Sequence, residues 1–204
     1  MTLRLHHLNA SRSQRLVWLL EELGVPYALV RHARSPQTRL APPELRQVHP
    51  LGKAPLLEDG ETVIAETGAI AEYLLARHDP DHALHPRPDH KDFPRYLEWL
   101  HAAEGAPFLP NLLLFYLSAY EVSGTRLNAK MAEEARAVAA HIEAHLTAHA
   151  FFAGEAFSAA DCLMGFQIGN AEARAGLEGL PATAAWLKTV RARPAYRRML
   201  EAGI

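Results

Sequence analysis

Cysteine is nearly missing from this chain: Cys162 is the single one among 204 residues. One cysteine excludes an intramolecular disulfide framework, a C-x-x-C redox pair and a cysteine-built zinc site. Any thiol chemistry therefore uses Cys162 or a thiol brought in from outside. Long apolar runs are missing too. No window reaches 18 apolar residues, and the opening MTLRLHHLNASRSQR has no apolar signal core. The expectation is a soluble, cytoplasmic protein with no membrane partner. An excess of one charge is also lacking. Lys and Arg number 21 against 23 Asp and Glu, a net charge of −2. Residues 1–80 carry nine of each sign, so no basic patch invites nucleic acid. What remains is an ordinary globular composition, 49% hydrophobic and 22% charged, with 12 histidines.

The texture changes near residue 80. Short β-like runs alternate with helices before it, and only helical patterns follow. Pro80, Pro86 and Pro88 interrupt the join, where neither a helix nor a central strand can continue. This predicts a first domain over 1–80, a linker over 81–91 and a second domain over 92–204.

Leu3–Leu8 reads as a strand. Leu16, Leu19, Leu20 and Leu23 follow at the spacing of one helix face, with Gly24 as the stop. Tyr27–Val30 reads as a second strand. Asp59-Gly60-Glu61 between apolar runs predicts a hairpin, and a helix carrying Ile70, Tyr73 and Leu74 comes next. The order β-α-β, then β-β-α, is that of a thioredoxin-like α/β domain. The rest reads as an all-α bundle of about five helices, with Pro107 and Pro110 kinking or breaking the first.

Four short motifs stand out. Ser11 closes the first strand and opens the first helix, within the capping pattern Ser11-Arg12-Ser13-Gln14. It is either a helix cap or a hydroxyl aimed at an anion held by the helix N-terminus. Both the dipole and a hydroxyl donor lower the pKa of a thiol placed there. Leu51-Gly52-Lys53-Ala54-Pro55-Leu56 places a proline at a strand start. It reads as a plain leading proline, or as a cis Ala54-Pro55 bond that presents the Ala54 backbone to a peptide-like ligand. Glu66 and Thr67 begin the third helix, as caps or as ligands for an ammonium and a carboxylate. Ser158 and Asp161 form an S-x-x-D box, with Phe157 and Cys162 at the staple positions.

With these motifs in order, the chain resembles the cytosolic glutathione transferases, in particular bacterial and fungal ones with a serine active site. SRSQRLVWLLEELGVPY, HPLGKAPLLEDG, AETGAIAEYL, FSAADCLMG and RPAYRRML carry the resemblance across both domains. It implies the glutathione transferase fold, a homodimer, and an enzyme that conjugates glutathione, its co-substrate, to a small hydrophobic electrophile. It implies Ser11 as the catalytic residue and Lys53, Ala54, Pro55, Glu66 and Thr67 as glutathione-binding residues. Thr67 stands where the family usually has serine. His7 stands near the position of the active-site tyrosine in other classes and is a second candidate, and Asn9 and Arg12 flank the site. Leu8, Phe108, Leu112, Phe115 and Tyr116 are expected to wall the hydrophobic-substrate pocket.

Two other readings of function stand beside this one. A non-catalytic interaction or regulatory protein would use the same fold, and a glutathione-dependent peroxidase would use the same thiolate. No metal is expected: His141, His145 and His149 share one helix face, with no acid or thiolate to complete a set, and read as a solvated face. His78, His82, His85 and His90 surround what reads as a flexible linker.

Overall fold

The structure, a computed structural model, describes residues 2–204. It divides into two compact units: the chain up to His85 together with Arg191–Ile204, and Pro86–Val190 between them.

In the first unit, β1 (Leu3–Leu8), α1 (Ser13–Leu23) and β2 (Tyr27–His32) form the opening β-α-β. A four-residue helix α2 (Leu45–Val48) lies in the polar stretch where the sequence shows no apolar period. The hairpin β3 (Leu56–Asp59) and β4 (Thr62–Ala65) turns at Gly60-Glu61, and Gly60 adopts φ +63°. α3 (Thr67–His78) completes the unit's N-terminal part.

The sheet order is β2-β1-β3-β4. β1 and β2 are parallel, with Leu3 opposite Tyr27, whereas β1–β3 and β3–β4 are antiparallel. β1 is a central strand, so both of its faces are buried over Leu5–Leu8. Leu5, Leu16, Leu19, Leu20, Leu57, Ile70 and Leu74 fill the core. α1 ends as its sequence predicts: Gly24 takes the left-handed conformation, φ +64°, and its N–H donates to Leu20 O.

α9 (Pro194–Glu201) also belongs to this unit, although it lies in the helical part of the sequence. Two arginines explain why. Arg193 grips Glu22 of α1 through Nε at 2.7 Å and Nη2 at 2.8 Å. Arg198 bonds the Glu21 carboxylate at 2.8 Å and the Glu21 carbonyl at 2.7 Å. Between them Tyr196 meets the Trp18 ring edge-on, with centroids 4.9 Å apart. The join is ordered rather than flexible up to His85. The Asp79 carboxylate accepts Ala83 N–H, Leu84 N–H and His85 Nδ1, each at 2.8 Å.

In the second unit the expected break is present. The first helical stretch divides into α4 (Phe93–Ala102) and α5 (Leu109–Ala119), with Pro110 in the first turn of α5. α6 (Arg126–Ala148), α7 (Ala159–Ala175) and α8 (Pro181–Arg191) follow. The core runs as a chain of rings, Trp99–Phe152 at 4.7 Å and Phe152–Trp186 at 5.0 Å. The histidines of α6 are not a bare solvated face. His141 stacks on Trp99 at 5.2 Å, and His145 packs on Trp99 and on Phe152 while bonding Phe151 O at 3.3 Å. Their apolar partners were set by the tertiary fold, which helix periodicity does not report.

The start of α7 closes as the S-x-x-D pattern predicts. Asp161 is completely buried, and its carboxylate accepts Ser158 N–H at 2.9 Å and Ser158 Oγ–H at 3.1 Å. It also accepts Phe152 N–H at 3.1 Å and Trp186 Nε1–H at 2.9 Å. Phe157 and Cys162 are both buried beside it.

Candidate functional site

The β1–α1 turn is built from residues that cannot all be helical. β1 ends at Leu8, Ala10 adopts φ +50°, and α1 starts only at Ser13, with Arg12 as its N-cap. Ser11 therefore stands before the helix, and the N-cap residue Arg12 makes no side-chain cap bond. This corrects the capping-box reading of Ser11 to Gln14. The Ser11 hydroxyl instead accepts Ser13 N–H at 3.3 Å, and the Ser11 carbonyl accepts Gln14 N–H at 3.2 Å. Arg15 N–H bonds Arg12 O at 3.1 Å. The first turn thus satisfies much of its own backbone, and the dipole and the partly exposed Ser11 hydroxyl are what it offers a ligand.

Ser13, which by sequence is a cap candidate beside Ser11, has a larger part in the turn. It is fully buried, yet its hydroxyl lies 2.7 Å from Ser11 Oγ and 2.9 Å from His7 Nδ1. It also accepts Leu8 N–H at 3.2 Å and lies 3.4 Å from Leu8 O. His7 itself is buried on β1, behind Ser13. Burial first, then the charge of Arg31 and the neighbouring His32, holds its imidazole down to about 4. His7 is neutral at pH 7. His6 points to the other side of the strand, bonding His32 Nε2 at 2.9 Å and Glu58 Oε1 at 2.5 Å.

Asn9 is exposed, and its contribution to the turn is its carbonyl. Arg34 bonds Asn9 O at 2.9 Å, Ala10 O at 3.1 Å and Arg39 O at 3.0 Å. One guanidinium thereby fastens the turn to the segment after β2, a contact with no signature in sequence. Leu8 is only 4% exposed and packs with Leu45, Ala54 and Leu56. It is a core residue, and its side chain is not offered to a substrate. Phe108, at the N-cap of α5, and Leu112 are half-buried, whereas Phe115 and Tyr116 are exposed on the same helix.

The second motif reads as expected in its backbone: Ala54-Pro55 is cis. Gly52, at φ +59°, turns the chain after α2, its N–H bonding His49 O at 2.9 Å. A side chain there would collide with Arg46 Cγ at 2.6 Å. The turn sets Lys53 on the surface, with Ala54 and Pro55 buried.

At the third motif Glu66 occupies the N-cap of α3 at φ +72° and ψ 127°. That region is strained for any residue with a Cβ, at about 1–3 kcal/mol, and such strain gathers at ligand clamps. Thr67 follows at the first helical position, 2% exposed, and α3 has no side-chain cap. The purely capping reading of this pair does not hold. Among the described residues no group of three His, Cys, Asp or Glu side chains is arranged to hold a metal. No helix there is long and apolar enough to cross a membrane.

Comparison with known proteins gives the family of the chain. The family described as glutathione S-transferase, N-terminal domain, matches residues 1–76, and its C-terminal counterpart matches residues 106–194. Glutathione S-transferase 1 of Saccharomyces cerevisiae is 34% identical over 95% of this chain and 92% of its own. Glutathione S-transferase 3 of Schizosaccharomyces pombe is 32% identical over 95% of this chain and 84% of its own. A crystal structure of a glutathione S-transferase from Actinobacillus pleuropneumoniae superposes with a TM-score of 0.90 at 31% identity. It covers 98% of this chain and 92% of that one.

Proposed function

Because the chain belongs to the glutathione S-transferase family and is an enzyme of it, we propose that Ser11 ionises bound glutathione for attack on a hydrophobic electrophile. The observation that carries this reading is the position of Ser11. It stands outside α1 at the positive end of the helix, and its oxygen is already engaged by Ser13, leaving its O–H to donate. A thiol of pKa ~8.5 is roughly 3% ionised at pH 7, and lowering it by about two units makes it about three-quarters ionised. Chemistry then gains from thiolate concentration and from proximity.

The remaining contacts are those that the likeness to the family implies for these positions. The exposed Lys53 takes the glycine carboxylate. The backbone of Ala54, held by the bond to Pro55, pairs with the cysteinyl amide. Thr67 takes the γ-glutamyl carboxylate at the N-terminus of α3, and Glu66 its ammonium group. Asn9 and Arg12 border the thiol. The active form is a cytoplasmic homodimer with no resident metal.

The test is the ultraviolet thiolate absorbance of bound glutathione against pH, in the parent and in Ser11→Ala. We expect the midpoint to rise by about two pH units in Ser11→Ala, with conjugation of a chloronitrobenzene at pH 6.5 falling at least tenfold. An unmoved midpoint would overturn the role of Ser11.

A further inference from the structure

Two buried groups beside Ser11 are used by nothing above. Ser13 lies wholly inside the protein, and His7 is buried behind it. They form a file with Ser11: His7 Nδ1 to Ser13 Oγ at 2.9 Å, then Ser13 Oγ to Ser11 Oγ at 2.7 Å. Each gap has room for one proton, so each bond has a direction, and the directions are coupled.

Without a ligand either direction is open. Ser11 can donate to Ser13, which then donates to an unprotonated His7 Nδ1. A thiolate removes that freedom, because it accepts hydrogen bonds and cannot donate them. Ser11 O–H turns to the sulfur. Ser13 O–H must then supply the proton of the 2.7 Å contact, since two lone pairs at that distance repel. His7 Nδ1 must in turn carry a proton towards Ser13 for the same reason.

Resting on the assignment of Ser11 above, we propose that His7 and Ser13 are positioning residues, a one-way relay His7 Nδ1–H → Ser13 Oγ–H → Ser11 Oγ–H → thiolate that the bound thiolate itself sets. No proton passes along the file: the neutral imidazole trades its Nε2 proton for one on Nδ1 by exchange with water, the thiol proton leaves to solvent, and the aligned donors then polarise one another in series. Every partner is then used. Ser13 Oγ accepts from His7 and from Leu8 N–H, and donates to Ser11; Ser11 Oγ accepts from Ser13 O–H and from Ser13 N–H. The 3.4 Å contact of Ser13 with Leu8 O is the one given up.

The relay needs a neutral imidazole with its proton on the right nitrogen. Arg31 and His32 are the charged and titratable neighbours acting on His7, and both oppose its ionisation, as burial does. A histidinium would donate from both nitrogens whatever the ligand and could not be set by it.

Two measurements test the relay. The first is the nitrogen-15 spectrum of the His7 ring in the unsubstituted protein. Adding glutathione at pH 8 should move Nδ1 to the protonated type, and adding S-methylglutathione, which offers no thiolate, should not. The same spectrum with both ligands would overturn the relay.

The second is the thiolate titration in Ser13→Ala, His7→Leu and His7→Asn, beside Ser11→Ala. Ser13→Ala and His7→Leu should raise the midpoint by about half to one pH unit, and glutathione affinity measured well below that midpoint should change less than twofold. His7→Asn, which retains an N–H donor near the Nδ1 position, should restore most of the shift. If Ser11→Ala moves the midpoint and Ser13→Ala does not, the relay fails while Ser11 stands. If Ser11→Ala does not move it, the reading of Ser11 fails and the relay with it.

Discussion

Two helices of this chain begin with a serine followed three residues later by a polar side chain able to bond back. At α7 the pattern is Ser158 to Asp161, and at α1 it is Ser11 to Gln14. The first closes on itself. Asp161 gathers four donors into a buried knot. The second stays open. α1 begins two residues after its serine, whose hydroxyl reaches only the first N–H of the helix and faces partly outward. Whether the helix accepts the serine as its cap decides whether the motif serves stability or chemistry. At α7, Ser158 has the extended backbone of an N-cap, φ −146°. At α1 the N-cap position falls instead to Arg12, whose backbone is already helical at φ −59°, after a turn with left-handed Ala10 that Arg34 clamps.

The contrast can be broken most forcefully at Asp161. Asp161→Ala leaves four buried donors without an acceptor, and the expected loss is about 3–5 kcal/mol of unfolding free energy, read from the urea midpoint. A loss below about 1 kcal/mol would mean that the knot is not what holds the α7 start.

The pH dependence gives a second measure. Burial pushes the Asp161 carboxyl up to about 6, against its four donors. The folded state therefore holds that proton more tightly than the unfolded chain does. Its contribution to stability is full below the unfolded carboxylate range near 4 and is lost as pH rises towards 6. Asp161→Asn should flatten the decline in stability over that window.

Asp79 works in the opposite sense. Burial raises its carboxyl, but Leu84 N–H, Ala83 N–H and His85 outweigh burial and leave it below the ordinary range. Its contribution is present above the unfolded value near 4 and disappears as pH falls through the folded one. The slope contributed by Asp79 should survive in Asp161→Asn.

The smallest effect sharpens the comparison directly. Ser158→Ala should lower stability by about 1 kcal/mol, and Ser11→Ala by less than about 0.5 kcal/mol, in parallel urea titrations. Equal losses would put Ser11 back among ordinary caps.

Local chemistry was readable from the residues alone. Gly24 ends α1, Gly60 turns the hairpin, Pro110 lies in the first turn of a new helix and Ser158 meets Asp161, each because the deciding partners are within a few positions. Glu66 and Thr67 were placed at their helix start for the same reason, but the strained φ of Glu66 depends on how β4 delivers the chain. Ser13 was not legible. Its role depends on which way a side chain points across a strand, a turn and a helix, and S-R-S offers two serines with equal claim. The burial of Leu8 escaped notice because a central strand hides both faces and shows no alternation. The allegiance of α9 escaped because helical periodicity names a buried face without naming what buries it. Tyr196, Arg193 and Arg198 find their partners more than 170 positions upstream.

That last contact bears on how the chain is made. The first unit cannot be finished when its strands and α1 have left the ribosome, because the residues that cover Trp18 and neutralise Glu21 and Glu22 are translated only after the whole Pro86–Val190 unit. The intervening Pro86–Val190 unit takes roughly 5–20 s to synthesise at typical elongation rates. For that interval a nascent half-domain presents an aromatic and two acids without their closing helix. The segment from Arg191 onward thus acts as a latch, and a chain cut before it would leave the earliest-made part of the unit unsealed.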